Sequence, residues 1–135
     1  MPETMAAPAA DATGQGKAWN VVLWVLQIGA SLMFFAAGGP KLLGDPQMVG
    51  VFETIGLGQW FRYATGGIEV LSALLLLIPR LAGVGALLLV GVMVGAVITH
   101  LLVVHSSPAI PLALLVVVAV IAWGRRDRTL RLLGR

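Results

Sequence analysis

The stretch LAGVGALLLVGVMVGAVITHLLVV, residues 81–104, runs for 24 residues without an Asp, Glu, Lys or Arg. A helix needs roughly 20 apolar residues to cross about 30 Å of hydrocarbon. The run is continuous and does not alternate, so it reads as a membrane helix and not as a barrel strand, the only other element whose backbone is satisfied in lipid. Working outward, three more segments come close to the same standard: 19–38, 61–78 and 109–123. The composition agrees, with 59% hydrophobic and 11% charged residues and a mean hydropathy of +0.95. Soluble domains carry about 25% charged residues. The predicted fold is all-α, a bundle of four transmembrane helices.

The segments outside the membrane domain 19–124 read as tails. Residues 1–18 are rich in Ala, Thr, Gly and Pro and nearly neutral, Glu3 and Asp11 offsetting Lys17, which predicts a disordered tail and not a cleaved signal peptide. Residues 125–135 form a basic tail with Arg125, Arg126, Arg128, Arg131 and Arg135. With four spans, that tail, Lys17 and Arg80 share one side, seven Lys and Arg against Lys41 and Arg62 on the other. The positive-inside rule then places both termini in the cytoplasm. The tail's arginines and leucines suit anionic headgroups; nucleic acid would require more basic surface than this.

Between spans one and two, Gly38-Gly39-Pro40 is expected to end the first helix. Asp45-Pro46 supplies an N-cap and a proline at the first helical position, and Met48, Phe52 and Ile55 follow at helical spacing up to Gly56-Leu57-Gly58. This predicts a short amphipathic interfacial helix over the outer mouth of the bundle, followed by an aromatic belt of Trp60, Phe61 and Tyr63. On span three, Gly91 and Gly95 form a GxxxG stripe, suited to close helix packing within the bundle or to a homo-oligomer contact.

The absence of cysteine excludes disulfides and thiolate metal or iron–sulfur ligation within this chain. The two histidines, His100 and His105, do not make a metal or haem site, and no catalytic triad or phosphate loop is present. Polar residues inside the spans are therefore few. Counting from Arg62 and from His105 at 1.5 Å per residue puts Glu69 about 10 Å and His100 roughly 7–8 Å below the outer boundary. Lys41 lies just past the first span. A carboxylate facing lipid at that depth costs on the order of 2–3 kcal/mol, so Glu69 must face the interior or be protonated. Lys41, Glu69 and His100 are the candidate ligand-binding residues, with Glu53, Arg62 and Gln27 as secondary candidates. Three bland readings stand beside this. Glu69 pairs with Lys41 or Arg62 as a helix lock, His100 is a neutral interfacial histidine hydrogen-bonded to a carbonyl, and Gln27 and Ser31 are interhelical hydrogen-bond glue.

From Phe34-Phe35-Ala36-Ala37-Gly38-Gly39-Pro40-Lys41-Leu42 through Met48, Phe52, Gly56 and Trp60, the chain resembles the DoxX family of small bacterial membrane proteins. The resemblance continues through the run from Phe61 to Gly66, then Glu69, Met93, Ala96 and His100, and covers roughly residues 20 to 124. Its most specific part is the order Gly-x-x-Lys, Gly-x-x-Glu and Met-x-x-Ala-x-x-x-His on three successive spans. The resemblance implies a four-helix bundle of the bacterial inner membrane. Some members are associated with redox systems, among them a thiosulfate:quinone oxidoreductase subunit and a complex linked to oxidative-stress enzymes. By that analogy Lys41, Glu69 and His100 would line a pocket for a quinone headgroup or similar ligand, in a chain that is not catalytic alone and sits among other redox-complex subunits. A solute or proton transporter and a structural subunit without ligand are the competing expectations.

Overall fold

A computed structural model describes residues 2–134, with side-chain surroundings described for 16–134. It is all-helical: α1 (Pro2–Leu43), α2 (Pro46–Ile55), α3 (Gln59–Leu76), α4 (Ala82–Leu102), α5 (Ala109–Gly124) and α6 (Arg126–Leu132). Helices α1, α3, α4 and α5 close into a ring in which each packs on the next. They alternate in direction, since Gln27 meets Leu76 and Gly38 meets Gly66 across α1 and α3, while Gly85 meets Ser72 and Leu76 across α3 and α4. Phe34, Ala73, Leu76, Ala86, Leu89, Val118 and Ile121 are fully buried at the centre of the ring. Large apolar residues such as Val25, Leu32, Leu87, Ile98, Ile110 and Val116 cover the outer faces. Apolar burial on one side and apolar exposure on the other is the pattern of helices solvated by lipid.

By length and hydropathy, two stretches cross a membrane, Gly16–Leu43 and Ala82–Leu102. A third is added only if α5 and α6, bent by 62°, count as one span. The expectation of four equivalent spans is therefore not met by these criteria. Helix α3 carries Gln59, Arg62 and Glu69, and α5 has 16 residues, about 24 Å of helix.

The first helix differs from expectation at both ends. Residues 2–18, expected to be disordered, continue α1, consistent with the high helix propensity of their alanines. At the other end Pro40 does not stop the helix, which runs on to Leu43. The stop is instead at Gly44, whose φ of 76° is left-handed, and the Asp45 amide reaches back 3.0 Å to the Pro40 carbonyl. That six-to-one bond closes a Schellman motif, which satisfies a carbonyl at the helix end. Pro40 lacks an amide for one helical bond, a loss that membrane helices tolerate. The close packing at Gly38 holds the chain on its helical course just before it. The short helix α2 forms as expected between Pro46 and Gly56, with a left-handed φ of 84° at its end. The basic tail is in part helical, as α6.

Candidate functional site

The α1–α3 seam positions the site, and glycine makes it close. A Cβ on Gly66 would lie 2.8 Å from the Lys41 Cβ and 3.0 Å from the Gly38 carbonyl oxygen. One on Gly38 would lie 2.9 Å from the Gly66 carbonyl oxygen and 3.0 Å from the Glu69 Cβ. With the two backbones this near, Lys41 reaches Glu69, their charged atoms 2.8 Å apart. The Glu69 side chain is essentially fully buried, and its Oε1 receives no well-directed hydrogen bond. The Lys41 ammonium directs one hydrogen at the Ala37 carbonyl, 3.1 Å away. An ammonium has three donors; one is directed at Ala37, and Glu69 holds Lys41 by charge on another side.

Arg62 secures this arrangement from behind. Its guanidinium donates to the Lys41 carbonyl and, over 2.6 Å, to Gln59 Oε1, and lies over the Tyr63 ring at 4.2 Å. A cation on a terminal carbonyl of α1 suits the helix's negative end. Arg62 is thus a positioning residue, buried, with no face on the cavity described next.

A cavity of about 710 Å³ opens between α2, α3 and α4. Lys41, Glu69 and His100 all line it, together with Thr65 and Thr99. Met48, Phe52 and Ile55 of α2 form its roof, and Phe61, Ile68, Leu88, Val92 and Met93 its apolar walls. Phe52 is held edge-to-face against Phe61, ring centres 5.8 Å apart. Gly91 and Gly95 also face the cavity, and a Cβ on either would meet nothing within 4 Å. The GxxxG stripe is therefore not a packing surface inside the bundle; it leaves room on the cavity side of α4.

The three candidates share the cavity but not a depth. The shared-depth reading counted from Arg62 and His105, whereas the helices end at Gln59 and Leu102. Glu69 then lies ten residues in and His100 two, a separation of roughly 12 Å along the bundle. The Lys41–Glu69 pair forms the polar floor, and His100 stands near the mouth. His100 Nδ1 is 2.8 Å from the Ala96 carbonyl oxygen. A carbonyl only accepts, so Nδ1 carries a proton, and in the neutral ring Nε2 is left as an acceptor. The site can therefore offer a donor and a carboxylate at the floor, the free Nε2 edge of His100 at the mouth, and apolar surface between.

The secondary candidates fall elsewhere. Glu53 is exposed on α2 and does not line the cavity. Gln27 is fully buried at the opposite end of the seam, 14 residues or about 21 Å along α1 from Lys41. There its amide nitrogen donates to the Leu76 carbonyl over 2.8 Å, and Ser31 donates to the Ala73 carbonyl over 2.8 Å. The Leu77 and Ile78 amides take the Leu74 and Leu75 carbonyls. All four terminal carbonyls of α3 are thereby satisfied. Gln27 Oε1 accepts from Arg125 Nε at 2.6 Å, and Asn20 Oδ1 from Arg125 Nη1 at 2.9 Å. This internal role of Arg125 was missed in reading it as tail. The available signal was Asn20 and Gln27, seven apart on one face of α1, opposite the end of an apolar span.

Among the described residues, no cluster of His, Asp and Glu could hold a metal ion. No curated protein and no solved structure matches the chain. The family model described as DoxX-like family matches residues 25–124, which takes in α3, α4, α5 and most of the membrane part of α1. The match contains Lys41, Glu69, His100 and the whole cavity lining, and apolar helices surround it. The chain is a small membrane protein and belongs to the DoxX-like family.

Proposed function

We propose that the cavity between α2, α3 and α4 holds a quinone or a similar amphiphile with a polar head, and that the chain serves as an accessory subunit of a membrane redox system. The observation that carries this reading is a charged pair on the floor of an otherwise apolar cavity of about 710 Å³. Small-molecule sites of this size are mostly apolar with a few convergent polar groups. A quinone carbonyl accepts a hydrogen bond from the Lys41 ammonium, and a quinol hydroxyl donates one to the Glu69 carboxylate. The room beside Gly91 and Gly95 accommodates the apolar part of the ligand, and His100 makes a contact nearer the mouth.

In this reading α1, α3, α4 and α5 all cross the bacterial inner membrane, because α3 and α5 share one core with the two helices long enough to cross. Both termini lie in the cytoplasm, on the side with seven of the nine Lys and Arg residues. Protein purified in mild detergent is expected to retain quinone, and Glu69→Gln or Lys41→Ala to release most of it. His100→Ala should weaken binding less. Protein that neither retains nor takes up quinone would remove the main support.

A second reading is favoured by the 2.8 Å Lys41–Glu69 contact itself, that the pair is only a lock between α1 and α3. Under it Glu69→Gln lowers the melting temperature and leaves ligand uptake unchanged.

A further inference from the structure

At the other end of the bundle a smaller pocket, of about 290 Å³, is lined by Arg80, Arg128, Arg131 and Leu132. Arg80 comes from the turn between α3 and α4, and the other three come from α6. The turn is set by backbone hydrogen bonds from Ile78 to Leu75 and from Leu81 to Ile78. Arg128 ties the two parts together, its Nη1 donating to the Pro79 carbonyl over 2.9 Å. Among the described residues, none of the three guanidiniums is paired with a carboxylate. Asp127, the acid nearest in sequence, does not line the pocket. Three guanidiniums around one small space favour a phosphate, whose oxygens match their planar donor forks.

We propose that this pocket binds the phosphate of an anionic phospholipid headgroup. The lipid source is favoured over free phosphate by the apolar wall of Leu132 and by Leu130 and Leu133, both exposed on or beside the same short helix. The 62° bend after α5 turns that helix away from the bundle axis, as a segment lying in the headgroup layer would be. The neighbouring arginines are otherwise occupied. Arg125 is buried on Gln27 and Asn20, and Arg126 lies 4.0 Å over the Trp123 ring with Nη1 on the Trp123 carbonyl. The pocket therefore separates specific headgroup binding from a general attraction of the basic tail.

The test is binding of the full chain in neutral detergent to phosphatidylglycerol in mixed micelles, with phosphatidylcholine as the blank. Arg80→Gln and Arg131→Gln should each weaken binding about fivefold, and Arg126→Gln, which removes the same charge, should change it little. Melting curves for all three variants check that each is folded. An equal loss for Arg126→Gln and Arg131→Gln would overturn the proposal in favour of bulk charge, and so would no loss in any variant. Displacement of the lipid by millimolar inorganic phosphate, with the same arginine dependence, would overturn the lipid source and leave a free-phosphate site.

Discussion

The α1–α3 seam is polar at both ends, and the two ends are built in opposite ways. At the Gln27 end, side chains from α1 complete the terminal carbonyls of α3, and Arg125, between α5 and α6, closes the group. Gln27 and Ser31 line neither of the two pockets described above. At the Lys41 end the helices come as close, through Gly38 and Gly66, but the pair borders the cavity, Lys41 partly exposed to it and Glu69 buried behind. Glu69 Oε1 has the Lys41 charge beside it without a well-directed hydrogen bond. The Gln27 and Ser31 bonds specify packing, although Arg125 Nη2 beside them has no hydrogen-bond partner, whereas the Lys41–Glu69 pair borders a cavity with room for a ligand. We read one end as a joint and the other as a candidate site.

Substitutions can break this contrast, and their effects on stability should descend in a set order. Gly66→Leu should be the most damaging, lowering stability by about 3 kcal/mol, because its Cβ meets backbone and a neighbouring Cβ on α1. Thermal melting in detergent would detect it, and an unchanged melting temperature would mean the helices are not in contact there. Gln27→Leu should follow at about 2 kcal/mol, since it leaves the buried Arg125 guanidinium with fewer partners. Ligand uptake should survive this change in whatever fraction remains folded. Ser31→Ala removes a single neutral interhelical bond, and such bonds average about 0.6 kcal/mol in a membrane. Gly95→Leu should leave the melting temperature unchanged or slightly raised, because nothing lies within 4 Å of the new Cβ, the rest of the side chain has the cavity to enter, and leucine is the better helix former. It should nevertheless fill part of the cavity.

Much of this was legible in the sequence, though unevenly. The apolar runs marked α1 and α4, and Asp45-Pro46 and Gly56 marked both ends of α2, although Asp45 holds the N-cap position without a side-chain hydrogen bond and Pro46 is the local signal that acts. The end of α1 lies five residues beyond the expected 38, at Leu43, since the stop signal at Pro40 competes with a Gly44 motif and a tertiary contact at Gly38. Lys41, Glu69 and His100 were readable as ionisable residues that lipid could not tolerate. Their depths were not, because those depend on where α3 and α4 really end. The role of Gly91 and Gly95 was also hidden. A glycine stripe looks the same in sequence whether a helix or a space lies across from it, and only helix rotation decides.

The central claim is that the Lys41 end of the seam is a ligand site and not a second joint. It is tested most directly by titrating a short-chain quinone into wild-type, Glu69→Gln and Gly95→Leu protein in one detergent, with melting curves alongside. Saturable binding to the wild type is expected, weakened about tenfold or more in both variants, a loss of roughly 1.4 kcal/mol or more, with Gly95→Leu as stable as the wild type. Equal, non-saturating uptake by all three proteins would contradict it.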